Sequence, residues 1–396
     1  MPFVNHIQTA ALATASFKIR EAGEADACII GGGLAGLSLS ILLARQGRNV
    51  VLFEKNKYPF HKVCGEYISL ESKPFLERLG LSLPATQYPH IHTLQVTAVS
   101  GVEVNRKLDL GGFGISRYKL DYELSLIAKS FGVTILHERV EDVVYHEKKY
   151  HVKTNNGNYI SAICTGSFGK RSNLDVKLHR PFIKSAKKGL NNYLGIKYHI
   201  RYNHPKDLIA LHNFKDGYCG ISAIEEDKYC LCYLTTANNL ADNNNDIPSM
   251  EKQVLHKNKH LQKIFTEAEF LYKEPLVISQ ISFANKTQAA GNMPLCGDAA
   301  GLITPLCGNG MSMALKASSL IAPLLDNFLN GITNIDQLNQ QYSALWQSTF
   351  NRRLQLGRIV QSTFGNNLMT SAFLQTCKLF PAMADTLIRN THGQPF

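Results

Sequence analysis

The residues that could do chemistry in this chain are concentrated in two glycine-rich segments. In the first, Gly31, Gly33 and Gly36 follow a short apolar run in the order G-x-G-x-x-G, and Glu54 ends a second apolar run, 23 residues after Gly31. The first glycine allows a tight turn, the second lets the backbone approach a pyrophosphate, and the third lets helix and strand pack closely. Glu54 is placed to accept hydrogen bonds from an adenosine ribose. The pattern predicts a dinucleotide site, and the alternative is a glycine-rich turn in an ordinary α/β protein.

Three neighbours of this motif belong to the predicted cofactor site. Leu34 and Ala35 lie at the start of the helix that the motif opens, and Lys55 follows Glu54. The first amides of a helix carry a partial positive charge, so this helix start is expected to face the phosphates.

The second segment, CGDAAGLITPLCGNGMSMAL (296–315), holds one acid, Asp298, in an apolar glycine-rich run. A lone carboxylate there is costly unless it binds something. We expect Gly297 and Asp298 to end a strand, so that Asp298 can accept a hydrogen bond from a ribityl hydroxyl. The helix predicted to follow would direct its N-terminal amides at the pyrimidine end of a flavin. The segment predicts FAD rather than NAD. The residues expected to leave room for a flat ring are Gly301, Pro305, Gly308 and Gly310.

Together with SRYKLDYEL (116–124), these segments resemble the para-hydroxybenzoate hydroxylase superfamily of flavoproteins. KVCGEYIS (62–69) and the second segment are most similar to its geranylgeranyl reductase branch. The resemblance, which covers about residues 25–325, implies that Arg117 contacts the FAD phosphates. It also implies that Gly308, Gly310 and Met311 line the flavin. The alternative for Arg117 is a surface charge at a helix start.

Two residues of KVCGEYIS are the catalytic candidates. Cys64 matches a cysteine that lies near the flavin in prenyl reductases, and Lys62 and His61 beside it would favour the thiolate. It could donate a proton to a substrate carbon, or it could be a small residue that permits close packing. Glu66 could be an acid or base in the same site, or the charge at the start of the following helix.

The chain departs from the superfamily at two positions. Phe168 occupies the place of an aspartate that serves FAD and the nicotinamide donor in many relatives. This predicts that electrons come from a separate reductase or from the substrate, although Phe168 could also be ordinary core. In GYCGISAI (217–224), where the prenyl reductases carry an aromatic-rich motif, only Tyr218 remains recognisable.

The chain of 396 residues predicts an α/β fold: a Rossmann-type FAD-binding domain like that of the group-A hydroxylases, a mostly antiparallel substrate domain and a helical C-terminal segment. Many strand-like runs between 176 and 280 indicate the antiparallel sheet. Residues 250–265 are expected to form one amphipathic helix beside it. The predicted boundaries are a tail at 1–24, the FAD-binding domain at 25–175 and 281–330, the substrate domain at 176–280 and the helical segment at 331–396.

Composition limits the partners. Lys and Arg total 42 against 31 Asp and Glu, a net charge of +11 spread along the chain. A basic protein that contacts anionic cofactors or membrane surfaces peripherally fits this, whereas no basic-aromatic motif indicates nucleic acid. Nine cysteines without regular spacing indicate reduced thiols in the cytoplasm, and no run is long enough to span a membrane. No set of residues predicts a metal site.

The expected activity follows from the resemblance. It is an FAD-dependent oxidoreductase that transfers hydride between flavin and a carbon–carbon bond of an apolar substrate, such as an isoprenoid, polyene or polyketide. One alternative is a flavin monooxygenase acting on an aromatic or polyketide-like substrate. The other is a flavin-binding protein without catalysis.

Overall fold

The structure is a computed structural model and describes residues 24–84, 86–185, 192–302, 308–391 and 393–396. The described strands are β1 (Ala25–Ile30), β2 (Val50–Phe53), β3 (Tyr67–Ser69), β4 (His90–Thr97), β5 (Glu103–Gly114), β6 (Thr134–Leu136), β7 (Val140–His146), β8 (Lys149–Thr154), β9 (Asn158–Gly166), β10 (Tyr193–Arg201), β11 (Leu208–Phe214), β12 (Gly217–Ala223), β13 (Tyr229–Thr236), β14 (Glu269–Phe270), β15 (Leu276–Ile281), β16 (Ala289–Ala290) and β17 (Met293–Pro294). The described α-helices are α1 (Leu34–Arg45), α2 (Lys73–Arg78), α3 (Arg117–Ser130), α4 (Asn173–Lys177), α5 (Pro181–Ser185), α6 (Ala237–Ala241), α7 (Ile247–Val254), α8 (Lys259–Glu267), α9 (Gly310–Leu329), α10 (Ile335–Thr363), α11 (Asn367–Leu379) and α12 (Pro381–Thr391).

The first sheet has six strands in the order β6-β2-β1-β9-β8-β7. Strand β1 pairs in parallel with β2 and β9, while β7, β8 and β9 form an antiparallel meander. Every residue of β2 and nearly every residue of β1 is buried, as expected where helices cover both faces of a parallel sheet. Helix α1 packs between α3 and α9, which explains why it is apolar on almost every side. This is the predicted FAD-binding architecture.

The second sheet is mostly antiparallel and has nine strands, in the order β14-β10-β13-β12-β11-β4-β5-β3, with β15 also on β10. Strands β10 to β13 and β15 come from the region predicted as the substrate domain. Strands β3, β4 and β5 come from residues 67–114, and β4 joins β11 in parallel. The chain therefore passes into the second sheet before it completes the first, and residues adjacent in sequence reach both sheets.

Two local expectations differ from the structure. The helix predicted at 250–265 is divided into α7 and α8, because Asn258 caps α8 by accepting from the His260 amide and donates to Thr97 Oγ1 and to the Asn213 carbonyl. The strand expected to end at Gly297 and Asp298 is β17, which ends at Pro294. Asp298 instead lies in a 3₁₀ helix, Gly297–Ala299.

The C-terminal segment is helical, as predicted. Asn334 and Gln337 form a capping box at the start of α10, which is 29 residues long. Helices α11 and α12 pack on β4 and β5 through a small apolar cluster that includes Leu374, Cys377 and Ala384. The segment thus covers one face of the second sheet. Among the described residues, no helix is long and apolar enough to cross a membrane.

Candidate functional site

The G-x-G-x-x-G turn needs its glycines for steric reasons. Gly31 has a φ of 106°, and a Cβ built on it would lie 2.5 Å from the Ser167 carbonyl oxygen. A Cβ on Gly36 would lie 1.9 Å from the carbonyl oxygen of Gly31. Ser167 also donates its hydroxyl to the Gly31 carbonyl at 2.7 Å, which ties the turn to the end of β9. Gly31 and Gly36 therefore have the packing roles that the sequence assigned to them.

Gly33 faces a basic recess. It is the N-cap of α1, and the two atoms nearest to its added Cβ are Arg117 Nη2 at 3.7 Å and Lys62 Nζ at 3.8 Å. Buried Leu34 and Ala35 begin the helix. Two cations thus flank a helix N-terminus, which suits an anion such as a pyrophosphate.

Arg117 is largely enclosed, with 13% of its side chain exposed, rather than a surface charge. Its Nε and Nη2 donate to the Asp121 carboxylate at 2.7 and 2.8 Å, and Lys62 Nζ is 3.0 Å from the same carboxylate. Burial opposes the guanidinium charge, but Asp121 outweighs it and raises the pKa of Arg117. Asp121 and Lys62 were not among the predicted site residues. The four-residue spacing of Arg117 and Asp121 on a helix was the signal that could have identified their pairing.

Glu54 lies at the end of β2, as predicted, and contacts the glycine turn. Its carboxylate accepts from the amides of Gly32 and Asn56, both at 3.1 Å. Tyr58 donates its hydroxyl to the Gly32 carbonyl at 2.6 Å, so it also lies at this turn. Lys55 is exposed. The position of Glu54 suits the predicted ribose-binding role, and that role stays a prediction.

The two glycine segments meet although they are far apart in sequence. A Cβ on Gly297, whose φ is 64°, would lie 2.8 Å from the Ala35 side chain. Asp298 is half-buried, and its carboxylate accepts no hydrogen bond from another described residue. It borders a small hollow formed with Gly297, Gly310 and other residues. An acceptor without a hydrogen-bond partner among the described residues, next to the start of α1, is what a ribityl hydroxyl requires. The residues present therefore fit FAD.

The N-terminus of α9 completes this region. Gly310 begins the helix and Met311 is buried within it, while the side chain of Asn309 donates to the Thr391 carbonyl. Gly308 has a φ of 66°, and a Cβ there would lie 3.2 Å from the ring of Tyr67. Pro305, which the sequence predicts to border the flavin, lies in residues 303–307, outside the described residues.

Glu66 lies in a buried charged cluster that the sequence did not reveal. Its carboxylate accepts from the Arg117 amide at 2.7 Å and from Lys197 Nζ, and it lies 2.6 Å from His199 Nε2. Burial by itself would raise the pKa of Glu66, but Lys197 and His199 lower it to about 2. Its φ of 55° is rare for a residue with a side chain. Lys197 and His199, two residues apart on β10, were missed because nothing local links them to Glu66.

The cluster continues toward the surface. The Tyr272 hydroxyl lies 2.7 Å from His199 Nδ1 and 3.1 Å from His61 Nδ1, and the His61 ring stacks on Tyr118. Burial and the nearby charge of Lys197 lower the pKa of His61 to about 4, so this histidine is neutral near pH 7.

Three atoms of this cluster are close enough to share a cation: a Glu66 oxygen, a His199 nitrogen and the Cys230 sulfur lie within 4.8 Å of one another. Burial raises the pKa of Cys230 well above its usual value, and the thiol donates to the Cys64 carbonyl at 3.2 Å. Metal ligation requires a thiolate, and the carboxylate already holds the Lys197 ammonium. The cluster is therefore built as an ion-paired group.

Cys64 is half-buried beside this cluster and beside Arg117. The structure thus brings Cys64, Glu66, Arg117 and Gly33 into one region. Phe168 lies over the same turn, because a Cβ on Gly31 would come within 2.8 Å of its Cα. The catalytic roles of Cys64 and Glu66 stay predictions.

A separate apolar cavity of about 150 Å³ lies between the second sheet and the C-terminal helices. Tyr67 and Gly308 line this cavity, and Arg106 and Thr391 contribute the remaining polar side chains of its lining. The Tyr67 side chain is 5% exposed, and its hydroxyl has no hydrogen-bond partner among the described residues. The apolar lining residues are Leu94, Val96, Val104, Leu108, Ile209, Leu211, Val360, Phe364, Phe373, Leu374, Cys377, Ala384, Leu387 and Ile388.

The sequence did not predict that the C-terminal helices form part of a binding cavity. Tyr218 is buried close by, in a cluster with Leu211, Val360 and Phe364, all three of which line the cavity. Cys64 and Glu66 are not among its described lining residues.

Comparison with known proteins identifies an FAD-binding domain in this chain. Residues 24–152 match the family model described as FAD binding domain. The matched residues include the glycine turn, Glu54 and Arg117, so this part of the chain is an FAD-binding domain and the protein binds FAD.

Three curated relatives are similar over different lengths. Conditioned medium factor receptor 1 of Dictyostelium discoideum is 23% identical over 82% of this chain and 68% of that protein. Menaquinone reductase of Mycobacterium tuberculosis (strain CDC 1551 / Oshkosh) is 24% identical over 76% of this chain and 77% of the relative. Squalene monooxygenase 1,1 of Brassica napus is 32% identical over 19% of this chain and 15% of the relative.

Solved structures share the fold. The flavin-dependent brominase Bmp2 superposes with a TM-score of 0.74 at 18% identity, covering 93% of both chains. The flavin-dependent halogenase CmlS superposes with a TM-score of 0.76 at 19% identity, covering 95% of this chain and 74% of the other.

Proposed function

We propose that this flavoprotein is a reductase that acts on a carbon–carbon bond of an apolar, isoprenoid-like substrate. The observation that carries the proposal is the cavity between the second sheet and the C-terminal helices, which reaches the flavin-side residue Gly308. When bound, FAD supplies the exchange of hydride with the substrate. The chain supplies an apolar wall that binds the substrate body and excludes water from it.

Tyr67 indicates what this substrate carries besides an apolar body. A buried hydroxyl without a partner costs free energy, and a ligand oxygen that accepts its hydrogen bond would remove that cost. Burial also raises the pKa of Tyr67, so the hydroxyl remains a donor. A molecule with an apolar tail and a carbonyl or similar oxygen next to the reacting carbons fits, and menaquinone, named for one relative, has this chemistry.

The proton for the reduced carbon comes, in this proposal, from Cys64. Because Cys64 is not among the described lining residues of the cavity, the proposal requires the reacting end of the substrate to extend beyond the cavity toward the flavin site. Arg117 and Lys62 bring positive charge to the same region. We expect Cys64→Ser to slow product formation about 10²–10⁴-fold while FAD occupancy stays nearly unchanged. Full activity of the variant would make Cys64 a packing residue, and loss of FAD would assign Cys64 to the cofactor.

Electrons come from a separate reductase or from the substrate rather than directly from a nicotinamide. Phe168 occupies the position next to the Gly31 turn where an aspartate would serve the nicotinamide donor. We expect slow loss of flavin colour with NADPH or NADH alone. Reduction by either nucleotide at ordinary turnover rates would overturn this part of the proposal.

The reaction itself is tested by product mass. Dithionite-reduced protein is mixed anaerobically with menaquinone, and in a second arm with squalene under ¹⁸O₂. The products are first reoxidised in air, which returns any quinol to the quinone, and a product that still carries two extra hydrogens, in its side chain, supports the reductase. A product that has gained an ¹⁸O atom supports the monooxygenase alternative, which the match to squalene monooxygenase favours over its 74 residues.

A flavin-binding protein without catalysis is the other candidate. It is favoured by the match to Conditioned medium factor receptor 1, which spans 82% of this chain. Failure of both arms of the assay, with FAD bound and menaquinone binding detected, would support it over either enzyme.

A further inference from the structure

Helix α11 carries apolar side chains on its outer side. Leu368 is 83% exposed and Leu379 is 68% exposed, and each is followed by another exposed apolar residue, Met369 or Phe380. The opposite side of the helix packs on the second sheet through Leu374 and Cys377. Large apolar side chains that remain exposed at both ends of one helix mark an interaction surface.

The spacing places one pair of apolar side chains, Leu368 and Met369, at the start of α11 and another pair, Leu379 and Phe380, at its end. Leu368 and Leu379 are eleven residues apart, as are Met369 and Phe380. Eleven residues are close to three full turns, so Leu368 and Leu379 lie on the same side of the helix axis, separated by about 16 Å along it. Phe380 follows directly as the C-cap of α11. Both ends of the outer side can therefore contact one flat surface at the same time.

Basic residues accompany the apolar ones. Of the cations in this part of the chain, Arg353 and Arg389 pair with Glu71 and Asp109. Arg352, Arg358 and Lys378 remain for contact with an anionic surface. Lys378 is exposed directly before Leu379, and Arg358 precedes Ile359, which is 63% exposed on α10. Apolar side chains combined with cations fit an anionic lipid surface, where the cations meet headgroups and the apolar groups enter the acyl boundary.

The same helix forms one wall of the apolar cavity. Phe373, Leu374 and Cys377 line it from α11, and residues of α12 continue the wall. A lipid surface against the outer side of α11 would lie one helix thickness from the cavity. An apolar molecule dissolved in a bilayer would then be close to its binding site.

We propose that the outer side of α11, defined by Leu368, Met369, Leu379 and Phe380, docks on the surface of an anionic phospholipid bilayer. The helix lies in the plane of the interface and does not cross it. Docking is a binding step that is measured without turnover, so its outcome is independent of which reaction the protein catalyses.

The test is flotation of the full-length, FAD-loaded protein with vesicles of phosphatidylcholine, with and without phosphatidylglycerol. We expect binding to the anionic vesicles, weaker binding at high salt, and an about tenfold or larger loss of vesicle partitioning in Leu379→Ser/Phe380→Ser. The matched control is Ile332→Ser, because Ile332 is 68% exposed, like Leu379, but lies in the connection between α9 and α10 and not on α11. This control should bind like the wild type.

A second double variant, Leu368→Ser/Met369→Ser, changes the other end of α11 and is expected to behave like the first. If Leu379→Ser/Phe380→Ser loses its FAD or its cooperative thermal transition, vesicle binding of this second variant is compared with that of the wild type instead. Wild-type protein that does not float, or an equal loss of binding in Ile332→Ser, would overturn the proposal. So would a wild-type dimer, seen by size exclusion, that the α11 variants convert to monomer, since the surface would then bind a second copy.

Discussion

Glu66 and Tyr67 are neighbours in sequence, yet they belong to two very different regions. Glu66 enters a charged cluster in which Lys197, His199 and a main-chain amide satisfy its carboxylate. Tyr67 lines an apolar cavity, and its hydroxyl has no partner among the described residues. The difference separates two kinds of buried polar group. One kind is satisfied by the fold and stabilises it, and the other is left available to a ligand.

Both regions adjoin the predicted flavin site. The cluster reaches Arg117 and the Gly33 recess through Glu66, and the cavity reaches α9 through Gly308. A catalytic group must be able to change its partners, which a fully paired carboxylate does only at a large free-energy cost. The contrast therefore favours a positioning role for Glu66 and a substrate-contacting role for Tyr67.

The largest expected effect tests the charged cluster. Lys197→Met leaves the Glu66 carboxylate buried without its cation, and we expect the free energy of unfolding to fall by about 3–5 kcal/mol. Chemical denaturation measures it. The matched control is Arg201→Met, because Arg201 forms an exposed pair with Glu269 at 3.2 Å and such pairs contribute little. Equal losses in the two variants would show that the Glu66 cluster does not stabilise the fold.

A second prediction contrasts Glu66 with Glu251, a buried carboxylate without a cation. Tyr198 and Tyr233 donate to Glu251 at 3.0 and 2.6 Å, yet burial raises its pKa to about 7. Glu251 therefore destabilises the fold increasingly as the pH rises from 4.5 to 7. We expect Glu251→Gln to gain about 1–3 kcal/mol at pH 8 and nothing below pH 4.5, measured by denaturation across pH.

The pKa of Glu66 is shifted in the opposite direction from that of Glu251. Because its folded-state pKa is lowered to about 2, its stabilising contribution is present above pH 4.5 and is lost as the pH falls toward 2. The difference between Glu66 and Glu251 would be contradicted if the wild-type protein lost no stability as the pH falls from 4.5 toward 2. It would also be contradicted if Lys197→Met lost as much stability as the wild type over this range.

A third prediction concerns Asp298, whose carboxylate resembles the Tyr67 hydroxyl in having no described hydrogen-bond partner. Asp298→Ala should weaken FAD retention about tenfold, the equivalent of one hydrogen bond to a hydroxyl group, while stability of the apoprotein changes little. Equilibrium dialysis against FAD measures the loss, with Asp207→Ala, whose side chain is 47% exposed, as the control. Unchanged FAD affinity would remove Asp298 from the cofactor site.

The smallest effect is expected at Tyr67. Tyr67→Phe should bind menaquinone about 3–10-fold more weakly, since one hydrogen bond is lost, and bind squalene, which has no oxygen, as the wild type does. The unfolding free energy should not fall, because no described group loses a partner. Isothermal titration with both compounds measures the difference. Equal weakening for both would mean that the ring, rather than the hydroxyl, contributes to binding.

Much of the first sheet and its glycine turn could be predicted from sequence because their causes are local. The all-apolar β1 and β2, the glycines of the turn, Glu54 at a strand end and the antiparallel meander of β7 to β9 all follow from neighbouring residues. The helix starting at Gly310 was also predictable. The division of 250–265 at Asn258 was not, because Asn258 is held by Thr97 and Asn213, which are distant in sequence.

The sequence by itself determined that this chain carries an FAD-binding turn, since Gly31 adopts a φ of 106° and a Cβ on Gly36 would meet the Gly31 carbonyl five residues earlier. Only the tertiary structure decided what surrounds it. Lys197 lies 131 residues from Glu66, and the cavity is closed by helices that begin more than 260 residues after Tyr67. Pairing of charges and enclosure of apolar space depend on how separate elements pack, and no local pattern records which distant partner will satisfy a carboxylate or leave a hydroxyl free.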